Sequence, residues 1–208
     1  MYKYCFKRIL DLILATVAIV VLSIPMLVIA IIIKINSPGP AIFKQRRVGI
    51  HKTEFTMLKF RSMPIDSPNN LATRDFNEIH RLNKLQRFIR KTSIDELPQL
   101  FNIWIGHMSL VGPRPVLSNE SDLIAERDKY GANDIKPGLT GWAQVNGRDE
   151  LDIVEKARYD GEYVQKMSFV FDFKCLLKTV SVVLKSKGIV EGEEEKKNQP
   201  EKEEASRS

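Results

Sequence analysis

Asp95 and Glu96 are adjacent carboxylates with Arg87, Arg90 and Lys91 a few residues upstream. An ionised carboxylate can serve as a nucleophile or as a metal ligand. Two neighbouring acids also suit a hard cation such as Mg2+, which prefers oxygen ligands and substrate phosphates. With cationic side chains beside them, these groups fit phosphoryl transfer, where positioning and charge neutralisation supply most of the catalysis. The plain alternative is helix capping, because acids at a helix start complement the dipole. Arg114, held between Pro113 and Pro115, has limited backbone freedom, and its guanidinium fork matches phosphate oxygens. Lys59 and Arg61 flank Phe60 in a β-like stretch and would project to one face. A structural ion pair for Arg114 and a solvated strand end for Lys59 are the bland readings.

Other chemistries lack their signatures. His51, His80 and His107 share no metal-type spacing, and the chain has no zinc motif, Walker A sequence or Gly-x-Gly-x-x-Gly fingerprint. Cys5 and Cys175 form no staple pattern, which fits a reducing cytoplasm.

The elements that would position the acids can be read from periodicity and turn signals. Leu97, Leu100, Phe101 and Trp104 recur at helical spacing. Two starts fit that helix. Ser93 can be the N-cap of a capping box closed by Glu96, or Asp95 can be the N-cap with Pro98 in the first turn. Ala41–Gln45 and Glu54–Phe60 read as strands joined across Gly49–Lys52 in a hairpin. Residues 64–70 read as a loop, and Phe76, Ile79, Leu82, Leu85 and Phe88 stripe a preceding helix. A Gly-rich loop over 136–148 carries Trp142, Gln144, Asn146 and Arg148. Phe173, Leu176, Leu177, Val180 and Leu184 stripe a last helix. It either packs on the core or lies at a membrane surface with Lys174, Lys178, Lys185 and Lys187 snorkelling.

Leu12 to Ile33 is an uncharged apolar run of 22 residues, about 33 Å as a straight helix against a hydrocarbon core of ~30 Å. Pro25 lies within it and crowds the carbonyl of Val21, and Ser23 is near enough to satisfy a freed backbone group. A break at Pro25 would leave two arms too short to cross alone. Lys3, Lys7 and Arg8 precede the run, and Lys34, Lys44, Arg46 and Arg47 follow it, as cytoplasmic flanks tend to. A re-entrant hairpin and a kinked single pass both fit these residues.

The 208 residues accommodate a membrane element and one domain, with an expected division at 1–36, 37–190 and 191–208. The net charge is +6; the last segment has seven Glu against three Lys and one Arg, leaving a body of +9. Such a body favours anionic lipid head groups and phosphate-bearing substrates. No recognition motif supports nucleic acid binding. The tail is polar, without aromatic residues, and reads as disordered.

Several motifs in one order, spanning Phe6 to Gly188, resemble the bacterial sugar transferase family, the small monotopic polyprenyl-phosphate phosphoglycosyl transferases. They are Phe6-Lys7-Arg8-Ile9-Leu10-Asp11, Ser37-Pro38-Gly39-Pro40 with Phe43-Lys44-Gln45, Lys59-Phe60-Arg61-Ser62-Met63, the stretch from Ile89 to Leu100, Met108 to Pro115, and Lys136 to Arg148. The resemblance implies an α+β, mostly helical fold, with a re-entrant membrane helical hairpin bent at a proline, a small β-hairpin and amphipathic interfacial helices. It implies transfer of a sugar-1-phosphate from a UDP-sugar to undecaprenyl phosphate, with release of UMP, at the cytoplasmic face of the bacterial inner membrane. Asp95 would be the nucleophile of a covalent phosphosugar intermediate, and Glu96 with Asp95 would bind Mg2+. Lys59, Arg90 and Arg114 match cationic positions around the phosphates, and Gln144, Asn146 and Arg148 lie in the region near the nucleotide. One departure is Ser23-Ile24-Pro25, where some small members have Ser directly before Pro. A lipid-linked glycosyltransferase releasing UDP and a non-catalytic membrane-anchored interaction protein are the rival readings.

Overall fold

The computed structural model describes residues 2–63, 82–147 and 150–185. The expected loop at 64–70, the stripe positions Phe76 and Ile79, Arg148 and the tail at 191–208 lie outside those residues. What is described is mostly helical with two small sheets, an α+β arrangement.

Helix α1 runs over Lys7–Asn36, about 45 Å at ~1.5 Å per residue, as a single element containing Pro25. The break expected at Pro25 does not divide it into two helices. Ser23 Oγ donates to the carbonyl of Val20 at 2.8 Å, one residue before the carbonyl that the proline ring crowds. Both halves of α1 also pack on the same body. Ala15, with Ala18, Ile19 and Leu22 beside it, joins Phe55, Met57, Leu100, Ile103 and Met108. Met26 and Ile33 join Phe60 and Ile89 in a second cluster. The opposite face is apolar and exposed, including Val20, Val21, Ile24 and Leu27.

Strands β1 (Ile42–Val48) and β2 (Glu54–Phe60) form the antiparallel hairpin, with Ile42 opposite Phe60 and Val48 opposite Glu54. The first strand runs three residues beyond the apolar–polar pattern, through Arg46, Arg47 and Val48. Helices α2 (Lys84–Lys91) and α3 (Gln99–Ile105) follow. On α2 the buried residues are Ile89 and Arg90, while Phe88 is exposed, because a strict three-residue repeat winds off any one helix face.

The second sheet pairs two short parallel strands, β3 (Ser109–Val111) and β4 (Gly138–Thr140). Their backbones nearly touch. A Cβ at Gly138 would strike the backbone nitrogen of Gly112, and one at Gly141 would strike the Gly112 carbonyl. Between these strands lies α4 (Ser121–Asp128), and after them come α5 (Ile153–Lys166) and α6 (Phe169–Lys185). On α6 the inward residues are Asp172 and Cys175, whereas Phe173, Leu177 and Val180 of the expected stripe are exposed. Leu176 of the stripe does pack against the core, so α6 lies on it through a narrower face than the stripe describes. Among the exposed residues of α3 are Phe101, Trp104 and Ile105.

The amino-terminal segment is tied down by polar contacts. Lys7 Nζ donates to Asp172 Oδ2 at 2.6 Å, and Tyr2 and Tyr163 hydroxyls donate to the same carboxylate. Asp11 accepts from Ser109 Oγ and the Leu110 amide. Arg8 donates to the carbonyls of Ile103 and Trp104 at the end of α3. At the other end of α1, Arg61 donates to the carbonyls of Ser37 and Pro38. Arg61, just beyond β2, thus holds the turn after α1.

Candidate active site

Asp95 and Glu96 sit in a 3-10 turn, Ile94–Glu96, immediately before α3. Neither expected cap forms. Ser93 takes a left-handed conformation at φ 55°, which turns the chain sharply out of α2, and no side chain caps the turn. Among the described residues, the capping box that does close is on α2, between Asn83 and Gln86. The acids therefore do not cap this turn through their side chains, and both are 9 % exposed.

Their surroundings are cationic. Glu96 Oε1 accepts from Lys59 Nζ at 3.2 Å and from Arg114 Nη2 at 3.0 Å. One carboxylate oxygen thus joins the end of β2 to the Gly-Pro-Arg-Pro loop. Burial pushes the Asp95 carboxyl up to about 6; Lys59, Arg90 and Arg114 oppose the rise and Glu96 adds to it. Burial likewise pulls the Lys59 ammonium below its ordinary range, against the attraction of Glu96. Four expected residues, Lys59, Arg90, Arg114 and Glu96, thus act electrostatically on the fifth, Asp95.

Gln144 and Asn146 have other engagements. Gln144 Nε2 donates to the Leu139 carbonyl at 3.3 Å, and Asn146 Nδ2 donates to the Trp142 carbonyl at 2.7 Å. Asn146 Oδ1 accepts from Lys178, and Lys178 and Lys174 stand 4.5 and 5.1 Å from the centre of the Trp142 ring. Two of the expected snorkelling lysines are therefore turned onto this loop. Gln144 Oε1 is a buried acceptor without a partner among the described atoms.

Arg47 belongs to the neighbourhood but carried no local signal, since it looks like one more basic residue after the apolar run. It is folded in from β1 through three hydrogen bonds, two to Gln45 Oε1 and one to the Pro115 carbonyl. Burial and the nearby Arg114 pull its guanidinium down to about 10.

The sequence profile described as Bacterial sugar transferase matches residues 2–186. The chain belongs to the bacterial sugar transferase family. Among its sugar transferase relatives is the uncharacterized sugar transferase EpsL of Bacillus subtilis, 43% identical over 185 residues that cover 88% of this chain and 89% of the relative. The UDP-glucose:undecaprenyl-phosphate glucose-1-phosphate transferase of Escherichia coli is 40% identical over 181 residues, 84% of this chain and 39% of that protein. The undecaprenyl-phosphate galactose phosphotransferase of Salmonella typhimurium is 36% identical over 197 residues, 88% of this chain and 41% of its own length. The chain therefore spans about two fifths of these two relatives with a named reaction and most of the B. subtilis one.

Proposed function

We propose that this protein transfers a sugar-1-phosphate from a UDP-sugar to undecaprenyl phosphate and releases UMP. The observation that carries the reading is a buried carboxylate, Asp95, within the field of Lys59, Arg90 and Arg114. Cations so placed would hold the diphosphate, and the carboxylate would attack the phosphorus that bears the sugar. The bond from that phosphorus to the oxygen of UMP breaks, and UMP leaves with the electron pair. The phosphate oxygen of undecaprenyl phosphate then attacks the same phosphorus and returns Asp95 to its ionised form. Support for the two substrates comes from the names of the relatives, which differ in the sugar. Incubation with undecaprenyl phosphate and a panel of UDP-sugars tests the reading. UMP release upholds it, while UDP release or no nucleotide release rejects it.

Mg2+ fits the same residues. The adjacent Asp95 and Glu96 carboxylates would hold the cation, beside Lys59 and Arg114, which both donate to Glu96 Oε1. Among the described residues no cluster of three or more His, Cys, Asp or Glu forms. Substrate phosphates and waters would thus complete the shell, as is usual for Mg2+. When bound, the ion would neutralise charge on the diphosphate. Excess chelator is expected to abolish turnover, and undiminished turnover in chelator rejects a metal requirement.

Replacing Lys59 or Arg114 by Ala is expected to lower kcat/KM by roughly 30- to 1,000-fold, equivalent to ~2–4 kcal/mol of transition-state stabilisation each. Full catalytic efficiency in both variants would remove the phosphate-holding role.

The membrane placement proposed is monotopic, with both ends of α1 on the cytoplasmic side of the inner membrane. Supporting it, Lys7 and Asp11 at one end and Ile33 at the other contact a single body that also carries buried ion pairs. A helix crossing the bilayer would carry that polar body through hydrocarbon. The exposed apolar faces of α1, α3 and α6 would meet lipid. In a chain lacking Cys5 and Cys175, cysteines placed at Lys3 and at Lys44 should both resist a membrane-impermeant thiol reagent in intact cells. Labelling of one alone would reveal a crossing.

A further inference from the structure

Arg114 can meet Glu96 only if its loop is held in place, and two arginines hold it, Arg127 buried and Arg47 half-buried. Arg127 on α4 donates through Nη1 to the Arg114 carbonyl at 3.0 Å. Its other nitrogens, Nε and Nη2, bind Asp160 Oδ2 on α5 at 2.8 and 2.6 Å. Both side chains of this pair are almost fully buried, at 5% and 1% exposure. On the next residue, Arg47 Nη1 donates to the Pro115 carbonyl at 3.3 Å and lies 3.7 Å from Glu120 Oε2. The chain is pinned again at Val116, whose carbonyl accepts from the Val48 amide at 2.9 Å. Successive carbonyls from 114 to 116 thus each accept a hydrogen bond, the first from α4 and the next two from the end of β1.

We propose that Arg127, fixed by Asp160, and Arg47, beside Glu120, are positioning residues that clamp the Arg114–Pro115 backbone so that the Arg114 guanidinium is aimed at Glu96 and the substrate phosphates. The geometry favours positioning over simple core stability. A buried ion pair alone is weak support for a fold, and apolar residues often replace one without loss. Here the guanidinium fork uses its third arm on the backbone of Arg114, one of the cations that face the acids. A lysine would keep the charge pairing with Asp160 but, as a point charge on a flexible stem, could not hold the carboxylate and the carbonyl in the same fixed geometry.

The proposal rests on the phosphosugar transfer reading, so its test has an arm that does not need activity. In the full-length chain in nanodiscs, R127K and R47K are each expected to lower UMP release about 10- to 100-fold in kcat/KM, the scale of a misplacement near 1 Å. In an R114M background the same substitutions should change little further. The second arm is a thermal-unfolding double-mutant cycle between Arg114 and Glu96, using R114M and E96Q. The two should be coupled in the wild-type background and uncoupled in R127K. A wild-type chain that releases no UMP rejects the function and leaves the clamp to the unfolding cycle. Undiminished activity in R127K, equal losses with and without Arg114, or coupling that survives R127K would each overturn the clamp. The lysine variants retain charge, and R47K tests the same loop independently should R127K fold poorly.

Discussion

Asp95→Asn is expected to abolish UMP release, by roughly 10,000-fold or more, and at the same time to stabilise the protein at neutral pH. The loss follows from chemistry, because a neutral amide cannot act as the anionic nucleophile. The gain follows from burial. The Asp95 carboxyl sits at about 6 in the fold against 3.8 for a free side chain. Above pH 6 the group is charged in both folded and unfolded chains, and the fold bears the unfavourable burial of that charge, about 3 kcal/mol at ~1.4 kcal/mol per unit. As pH falls from 6 towards 3.8 the folded chain takes up its proton first, and the destabilisation fades. Asparagine carries no charge at any of these values. The thermal midpoint of Asp95→Asn should therefore exceed that of the wild type at pH 7.5, and the difference should shrink towards pH 4. Paired unfolding scans and UMP assays check both halves. Wild-type turnover in a folded variant would remove Asp95 as nucleophile. A lowered midpoint at pH 7.5 would show that the carboxylate is a structural partner. The same ionisation sets the acid limb of kcat/KM in the wild type, which should fall below about pH 6.

The acids themselves were legible because they are adjacent and lie within a long local motif. So was the hairpin, since Glu54 to Met57 follow the alternation of a half-buried strand. What failed to show did so for identifiable reasons. Helix α5 begins with a clear signal, Asp152 accepting from the Glu155 amide, but its buried face includes Asp160 and Gly161. A charge paired with Arg127 and a glycine pressed against the Tyr130 ring break the apolar stripe that would have revealed a helix. Strands β3 and β4 have three residues each and contain too little pattern to read. Ser93 misled in the opposite direction, because a Ser three residues before a Glu fits a capping box only if its backbone is extended. Arg47 and Arg127 act through contacts 68 and 13 residues away, on the Pro115 and Arg114 carbonyls, and no local window carries that information. The sequence left α6 open between core packing and a membrane surface, and did not show that Lys174 and Lys178 stand over Trp142, a pairing that only the fold creates.

Glu96→Gln should lower kcat/KM by roughly 1,000-fold or more, and it should move the acid limb in a direction that identifies the cause. Glu96 Oε1 receives hydrogen bonds from both Lys59 and Arg114, so one substitution weakens the hold on the two cations proposed to hold the phosphates. Two charge-assisted contacts at ~2–4 kcal/mol each can account for a loss of that size. Glutamine can still accept a hydrogen bond, but it cannot offset the two positive charges or serve as an anionic ligand to Mg2+. The pH profile separates these effects from a general disturbance. The negative charge of Glu96 raises the Asp95 carboxyl, whereas Arg114 lowers it. Removing Glu96 should therefore shift the acid limb to lower pH, and Arg114→Met should shift it to higher pH. A site merely loosened by either change would move both limbs the same way or not at all. If Glu96→Gln keeps near wild-type efficiency, or if its acid limb rises together with that of Arg114→Met, Glu96 does not organise the charge around the nucleophile.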